Sequence, residues 1–223
     1  MAPRGLLLDA MGTLIGLRRS VGAVYSELAA SHGLAVDAGA LDRVFPAVYR
    51  QAPPLAFPGL EGPELLAAER GWWGERIAEV FAACGQAEPL PPHLAGELFD
   101  RFAEPDLWHA YADVAGPLET WRQRGLKLAV VSNFDQRLPG LLKGLGIASA
   151  FEVVVVSSAA GAAKPDPRPF QLALEALGLE PGAVWHVGDS PEDEAGARAA
   201  GVRPLLIRRP RPATPPPHGA GEP

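Results

Sequence analysis

A single cysteine, Cys84, stands among 223 residues. No intrachain disulfide and no multi-cysteine zinc site can form, and a lone thiol of this kind reads as a buried structural group. Lysine is nearly as scarce: Lys127, Lys143 and Lys164 stand against seventeen arginines, so a position that does carry lysine is a candidate for one that wants a compact ammonium rather than a planar guanidinium. Basic residues as a whole fall short of acidic ones, 20 against 26, for a net charge of -6 and a sequence pI near 5.4. That balance argues against nucleic-acid binding through a broad basic face. Apolar runs stay far below the roughly 20 residues of a membrane-spanning helix, so no membrane association is expected. The stretch 5–17 is apolar enough to suggest a signal sequence, but Asp9 splits it and no small-residue cleavage site follows; a cytoplasmic location is expected.

What is present is a succession of short apolar runs and helical patterns. Gly5 to Leu8 reads as a buried strand ending at Asp9, with a turn over Met11-Gly12-Thr13. Helical spacing follows over Ser20 to His32, with Ser20 as N-cap and Gly33 as the stop, then over Asp37 to Arg50 with a kink at Pro46. Glu64 to Cys84 reads as a helix interrupted near Gly71; it holds Trp72 and Trp73, packing residues by default, one of which could roof a pocket. A further helix is expected from Pro91-Pro92 to about Phe102. Beyond Trp108 the texture alternates: helix Pro117–Arg124, strand Leu126–Val131, helix Leu138–Leu145, strand Val153–Val156 buried on both faces, a helix capped by Asp166 and ended by Gly178, strand Ala183–Val187, helix Ala195–Ala200 and a last strand Pro204–Ile207. Alternation of this kind predicts an α/β fold: a doubly wound, Rossmann-like parallel sheet core, with the helical block between its first two strands inserted as a small helical cap. The expected units are 1–15 with 105–207 as core, 16–104 as cap, and 208–223 as a disordered tail rich in Pro and Arg.

Four polar clusters each follow an apolar strand: Asp9, Ser132-Asn133, Lys164, and Asp189 with Asp193. In open α/β sheets the carboxyl ends of the strands form one rim where ligands bind, so the four are expected to converge. Any one alone has a bland reading as a turn, cap or surface residue. Converging carboxylates repel one another unless a cation is shared among them, and a hard divalent ion such as Mg2+ meets that need. Asp9 is then both a ligand and a nucleophile able to form an acyl phosphate. Lys164 would hold Asp9 ionised, Ser132 and Asn133 would donate to phosphoryl oxygens, and the amides of the Gly12-Thr13 turn could add donors.

These residues resemble the haloacid dehalogenase superfamily of hydrolases. Asp9-Ala-Met-Gly-Thr13 is similar to its first motif, Val131-Ser132-Asn133 to its second, Lys164-Pro-Asp-Pro167 to its third and Val187-Gly-Asp189-Ser-Pro-Glu-Asp193 to its fourth, in order along 5–207. The resemblance implies a helical cap between the first two motifs that opens and closes over the site, an aspartyl-phosphate on Asp9, a small phosphorylated substrate, and Mg2+ held by Asp9, Asp189, Asp193 and the backbone carbonyl of Met11.

One position departs from the phosphatase pattern: Met11 stands where a typical member carries a second Asp that protonates the leaving oxygen. General acid-base catalysis is worth roughly a hundred to ten thousand fold, so substrates with good leaving groups, such as acyl phosphates, phosphoanhydrides or aryl phosphates, lose least. Two alternatives stay open. A metal-independent 2-haloacid dehalogenase carries a bulky non-acidic residue at the Met11 position, and Arg18 or Arg19 could then bind a carboxylate. A catalytically weak protein that binds a phosphorylated ligand or a partner would keep the same scaffold. His186 is read as a packed strand residue, Asp135 as a helix cap, and Glu192 and Glu194 as exposed neighbours of Asp193.

Overall fold

A computed structural model of the chain describes residues 2–86 and 89–209. Five parallel strands form its sheet: β1 (Gly5–Leu8), β4 (Lys127–Ser132), β5 (Val153–Val156), β6 (Val184–Gly188) and β7 (Arg203–Leu206), in the order β5-β4-β1-β6-β7. Strand β1 is central, with Leu8 opposite Val130 on one side and Val187 on the other. The period of two sorts the side chains into two cores. Leu6, Leu8, Leu128 and Val130 pack with Leu118 of α5 (Ala115–Gln123) and Leu138 and Leu141 of α6 (Leu138–Gly144). Leu7, Ala129 and Val131 face the other way, onto Phe170 and Ala173 of α8 (Arg168–Leu177) and Ala197 of α9 (Pro191–Ala199). Every strand presents its carboxyl end to one rim, so Asp9, Ser132 and Asp189 emerge side by side.

Between β1 and β4 lies the helical insertion: α1 (Val21–Ser31), α2 (Ala38–Gln51), α3 (Gly62–Ala83) and α4 (Leu94–Arg101). Its own core joins Tyr25, Leu41, Ile77, Phe81 and Leu98, with Tyr25 and Phe81 stacked at 5.9 Å. A two-stranded antiparallel ribbon of β2 (Ile15–Leu17) and β3 (Trp108–Ala110) carries the chain into and out of these helices.

The structure departs from the sequence reading at several points. Helix α3 runs unbroken through Gly71, which is exposed and has open space around it; glycine there costs about 1 kcal/mol of helix propensity, and burial of Leu65, Trp72, Ile77 and Phe81 along the same helix outweighs it. Helix α4 begins at Leu94, after His93 takes a left-handed conformation (φ 73°), rather than at the prolines. Helix α9 starts at Pro191 instead of Ala195, because Ser190 and Asp193 cap each other's backbone amides in a reciprocal box. Strand β5 is an edge strand, so Val153 and Val154 are only half-buried. The ribbon and the four-residue α7 (Ser157–Ala160) went unread. Cys84 is half-buried, not enclosed. Of the tail expected to be disordered, Arg208 and Arg209 are described: Arg209 pairs with Asp113 at 2.6 Å and donates to the Thr13 carbonyl at 2.7 Å. The remainder of that tail lies outside the described residues.

Candidate active site

The loop after β1 is shaped by a residue without a side chain. Gly12 has φ 79°, and a Cβ there would sit 2.2 Å from Asp189 Oδ2, so only glycine lets the loop approach the acidic strand end. Gly188 serves likewise, since a Cβ on it would meet Asp193 Cγ at 2.3 Å. The amides of Gly12 and Thr13, expected as phosphate donors, are already engaged by the carbonyls of Ile15 (2.9 Å) and Ala10 (3.3 Å). Thr13 is buried and its Oγ1 has no partner. The amides of Ala10 and Met11, and the carbonyl of Met11, make no hydrogen bond among the described residues.

At the centre is Lys164, buried, with each ammonium proton assigned: Asp9 Oδ1 at 2.6 Å, Asp193 Oδ1 at 2.6 Å and the Val131 carbonyl at 3.1 Å. Burial alone favours the neutral amine, but the two carboxylates outweigh it and hold Lys164 above its ordinary value. Asn133 grips the same residue by its backbone, accepting from the Lys164 amide (2.7 Å) and donating to its carbonyl (3.0 Å). Ser132 Oγ donates to Asp9 Oδ1 at 3.0 Å. Asp9 is thus buried and held by one oxygen, while Oδ2 has no donor among the described residues.

The other acids differ. Asp193 is fully committed: Oδ1 faces Lys164 and His186 Nε2 (2.8 Å), and Oδ2 accepts from the amides of Asp189 and Ser190 and from Ser190 Oγ. Burial opposes its ionisation, but the His186 and Lys164 contacts prevail and hold its carboxyl well below the usual range. Asp189 is exposed and, among the described residues, no cation pairs with its carboxylate; partial burial, then Asp9 and Asp193, push it up to about 6. One carboxylate oxygen from each of Asp9, Asp189 and Asp193 lies within 4.8 Å of the others, a spacing that fits a shared cation. His186, read from sequence as packing, is fully buried with Nδ1 3.1 Å from the Leu7 carbonyl, and it orients Asp193. The signal for that role was a polar ring inside an apolar strand.

Three comparisons bear on this constellation. A family model described as haloacid dehalogenase-like hydrolase matches residues 3–201. The chain belongs to that family. Its similarity to the Bos taurus haloacid dehalogenase-like hydrolase domain-containing protein 3 is 39% identity over 215 residues, covering 95% of this chain and 84% of that protein. A Thermus thermophilus phosphoserine phosphatase is 39% identical over 159 residues, 68% of this chain and 60% of that protein. The solved L-2-haloacid dehalogenase of Xanthobacter autotrophicus superposes with a TM-score of 0.65 at 21% identity, over 93% of this chain and 78% of that one, which shows the fold alone.

In this haloacid dehalogenase-like hydrolase the helical insertion sits directly over the strand ends. Trp73 Nε1 donates to Asp135 Oδ2 (2.7 Å), Arg137 Nη1 donates to the Phe99 carbonyl (2.8 Å), and the buried Glu69 accepts from the Gln136 amide (3.1 Å). Sequence reasoning missed these because the partners lie 38 to 67 residues apart and no local pattern marks the pairing. Asp135 does cap locally, accepting from the Arg137 amide at 3.1 Å, but it also binds the Arg137 guanidinium and Trp73. The insertion and the core enclose a cavity of about 290 Å³ whose core side includes Met11 and Asn133 and whose far side includes Tyr49 and Trp73. Burial raises the Tyr49 phenol, as do Asp135 and Asp9, while Lys164 opposes them, so the ring lies within the field of these charges. Trp72, by contrast, is buried and donates to the Pro53 carbonyl at 3.0 Å. Arg18 is tied to the Trp108 carbonyl at 2.7 Å and Arg19 to Glu27. Among the described residues, no helix is long and apolar enough to cross a membrane.

Proposed function

We propose that this hydrolase is a cytoplasmic, Mg2+-dependent phosphohydrolase of small phosphorylated molecules that works through an aspartyl-phosphate on Asp9. The observation that carries the reading is the asymmetry of Asp9: Oδ1 is fixed by Lys164 and Ser132, and Oδ2 is free to attack. Lys164 keeps the nucleophile ionised and stands ready to neutralise charge on the phosphoryl oxygens. The unengaged amides of Ala10 and Met11 follow the nucleophile directly and supply donors in place of Gly12 and Thr13, whose amides are occupied. Thr13 then contributes through its buried hydroxyl and Gly12 through its closeness to Asp189. Ser132 can turn its hydroxyl from Asp9 to the incoming phosphoryl group, while Asn133 keeps Lys164 in place.

The acidic cluster fits a divalent cation because Asp189 has no positive partner among the described residues and one carboxylate oxygen of Asp9 lies within 4.8 Å of oxygens of Asp189 and Asp193; a cation that takes Oδ1 once Ser132 turns away leaves Oδ2 for the attack. Asp9, Asp189 and the Met11 carbonyl would hold it, with Asp193 acting mainly on Lys164 and on the turn at Asp189. Bound Mg2+ would supply charge neutralisation for the transferring phosphoryl group. The units 1–15 with 105–207, and 16–104, are proposed as core and cap; the boundary after residue 15 falls inside β2.

Met11 is exposed and cannot protonate a leaving oxygen, so turnover favours leaving groups that depart as stable anions. With acetyl phosphate and phenyl phosphate, hydrolysis should require Mg2+ and vanish in Asp9→Asn. Turnover that survives that substitution removes the nucleophile assignment. Chelator-insensitive halide release from a 2-haloacid would favour the dehalogenase, which Arg18 and Arg19 do not support, being engaged elsewhere. Tight phosphate-ester binding without turnover would favour a binding protein.

A further inference from the structure

The cavity under the cap concentrates one kind of side chain. Aromatics are 7% of the sequence, yet half of all the Trp, Tyr and Phe residues line this one space of about 290 Å³. Tyr49 stacks near-parallel to Phe45 at 6.0 Å and to Trp73 at 6.1 Å, which leaves broad, rigid faces around the cavity. Among the described residues the one charged side chain lining it is Arg137, and its charge is consumed: Asp135 takes two of its donors, the Phe99 carbonyl takes a third, and the guanidinium lies 4.0 Å over the Phe99 ring. What the cavity offers an occupant is therefore dispersion, ring faces and the phenols of Tyr25 and Tyr49, with no uncompensated charge for a second phosphate or a carboxylate.

The cavity also begins where the reaction takes place. Met11 is two residues beyond Asp9, and Asn133 follows Ser132, whose hydroxyl touches Asp9. A proton donor at position 11 would have been wasted on a leaving group with a low proton affinity, and the apolar Met11 side chain extends the cavity wall to the nucleophile instead. About 150 Å³ of apolar cavity accepts one benzene ring, so this space suits two fused rings.

Resting on the phosphohydrolase reading above, we infer that the cavity receives the aromatic leaving group of an aryl phosphate. Asp9 Oδ2 forms a bond to phosphorus while the bond from phosphorus to the aryl oxygen breaks. The electron pair leaves on that oxygen as phenoxide, which takes a proton from water. Water then cleaves the aspartyl-phosphate, releasing inorganic phosphate and restoring Asp9.

The test separates recognition from chemistry. For wild-type protein with Mg2+, kcat/KM is compared for 2-naphthyl phosphate, phenyl phosphate and acetyl phosphate. Because phenol and 2-naphthol leave with similar ease, an advantage of about tenfold or more for the naphthyl ester, expressed in KM, reports the cavity. Binding of 2-naphthol to Asp9→Asn is measured by calorimetry. The cavity-filling Val21→Phe, checked for folding by circular dichroism, should cut the preference for naphthyl over acetyl phosphate at least tenfold and, in the Asp9→Asn background, abolish 2-naphthol binding. Equal kcat/KM for naphthyl and phenyl esters, or 2-naphthol binding unaffected by Val21→Phe, overturns the inference. If 2-naphthol binds as expected and no phosphate ester turns over, the phosphohydrolase reading fails and aryl recognition stands.

Discussion

Replacing Lys164 with Met removes the one ammonium that faces two buried carboxylates, Asp9 and Asp193, each 2.6 Å from Nζ. Breaking a buried pair by deleting one partner costs about 3 to 5 kcal/mol, because a charge is left in a poor solvent. With a urea slope near the middle of the usual range, about 2 kcal/mol per molar, the unfolding midpoint should fall by about 2 M at pH 7.5. The second substitution sharpens the argument. In Lys164→Met/Asp193→Asn the new amide can turn its oxygen toward the donors at Asp189 and Ser190 and its nitrogen toward His186, so the double variant should be more stable than Lys164→Met alone. Urea unfolding of the wild type, Lys164→Met, Asp193→Asn and the double variant, with and without Mg2+, checks this; the cation should recover part of the Lys164→Met loss by standing in for the missing charge. A midpoint shift below about 0.5 M, or a double variant weaker than the single one, refutes the view that charge compensation holds these residues together.

Gly12→Ala must place a methyl group against Asp189 at a positive φ, and a loss of about 1 to 3 kcal/mol with weaker Mg2+ binding is expected by thermal unfolding and titration. Asp189 is raised from 3.8 to about 6 in the cation-free protein, so folded protein binds a proton that unfolded chain releases between those values. Stability without Mg2+ should therefore fall as pH rises from about 4 to 6 and then level off, by about 1 kcal/mol after allowance for its exposure, and Mg2+ affinity should drop below pH 6; a pH series of denaturation curves reads the first, calorimetry the second. Met11→Asp should raise hydrolysis of an alkyl phosphate about ten- to a hundredfold, and a variant that folds and binds Mg2+ without that gain rejects the general-acid argument.

The fold and the site were legible in the sequence to different depths, for physical reasons. Apolar runs that end in Asp9, Ser132 and Asp189 point to strand ends, because a polar side chain inside a strand buried on both faces is costly unless partnered, as His186 is, and strand ends in a parallel sheet share a rim. Lys164 was legible through its scarcity. The division of labour among the acids was not, since Asp193 is occupied by donors from Lys164, His186 and Ser190 that only the folded loop assembles. Nor was the ribbon of β2 and β3: three residues are too few to display a period of two. The start of α9 was misplaced because it rests on the reciprocal capping of Ser190 and Asp193 around Pro191, which only the folded turn displays.

Phe134, Asp135, Gln136 and Arg137 follow Asn133 without a gap, and each lines the cavity or touches the insertion. The polypeptide that positions Ser132 and Asn133 is thus the same strip on which the helical insertion rests. Any shift of the insertion at these contacts would pull on a stretch only a few peptide units from Ser132, whose hydroxyl donates to Asp9, so the seating of the helices and the hold on that carboxylate are mechanically joined over a span shorter than the sheet is wide.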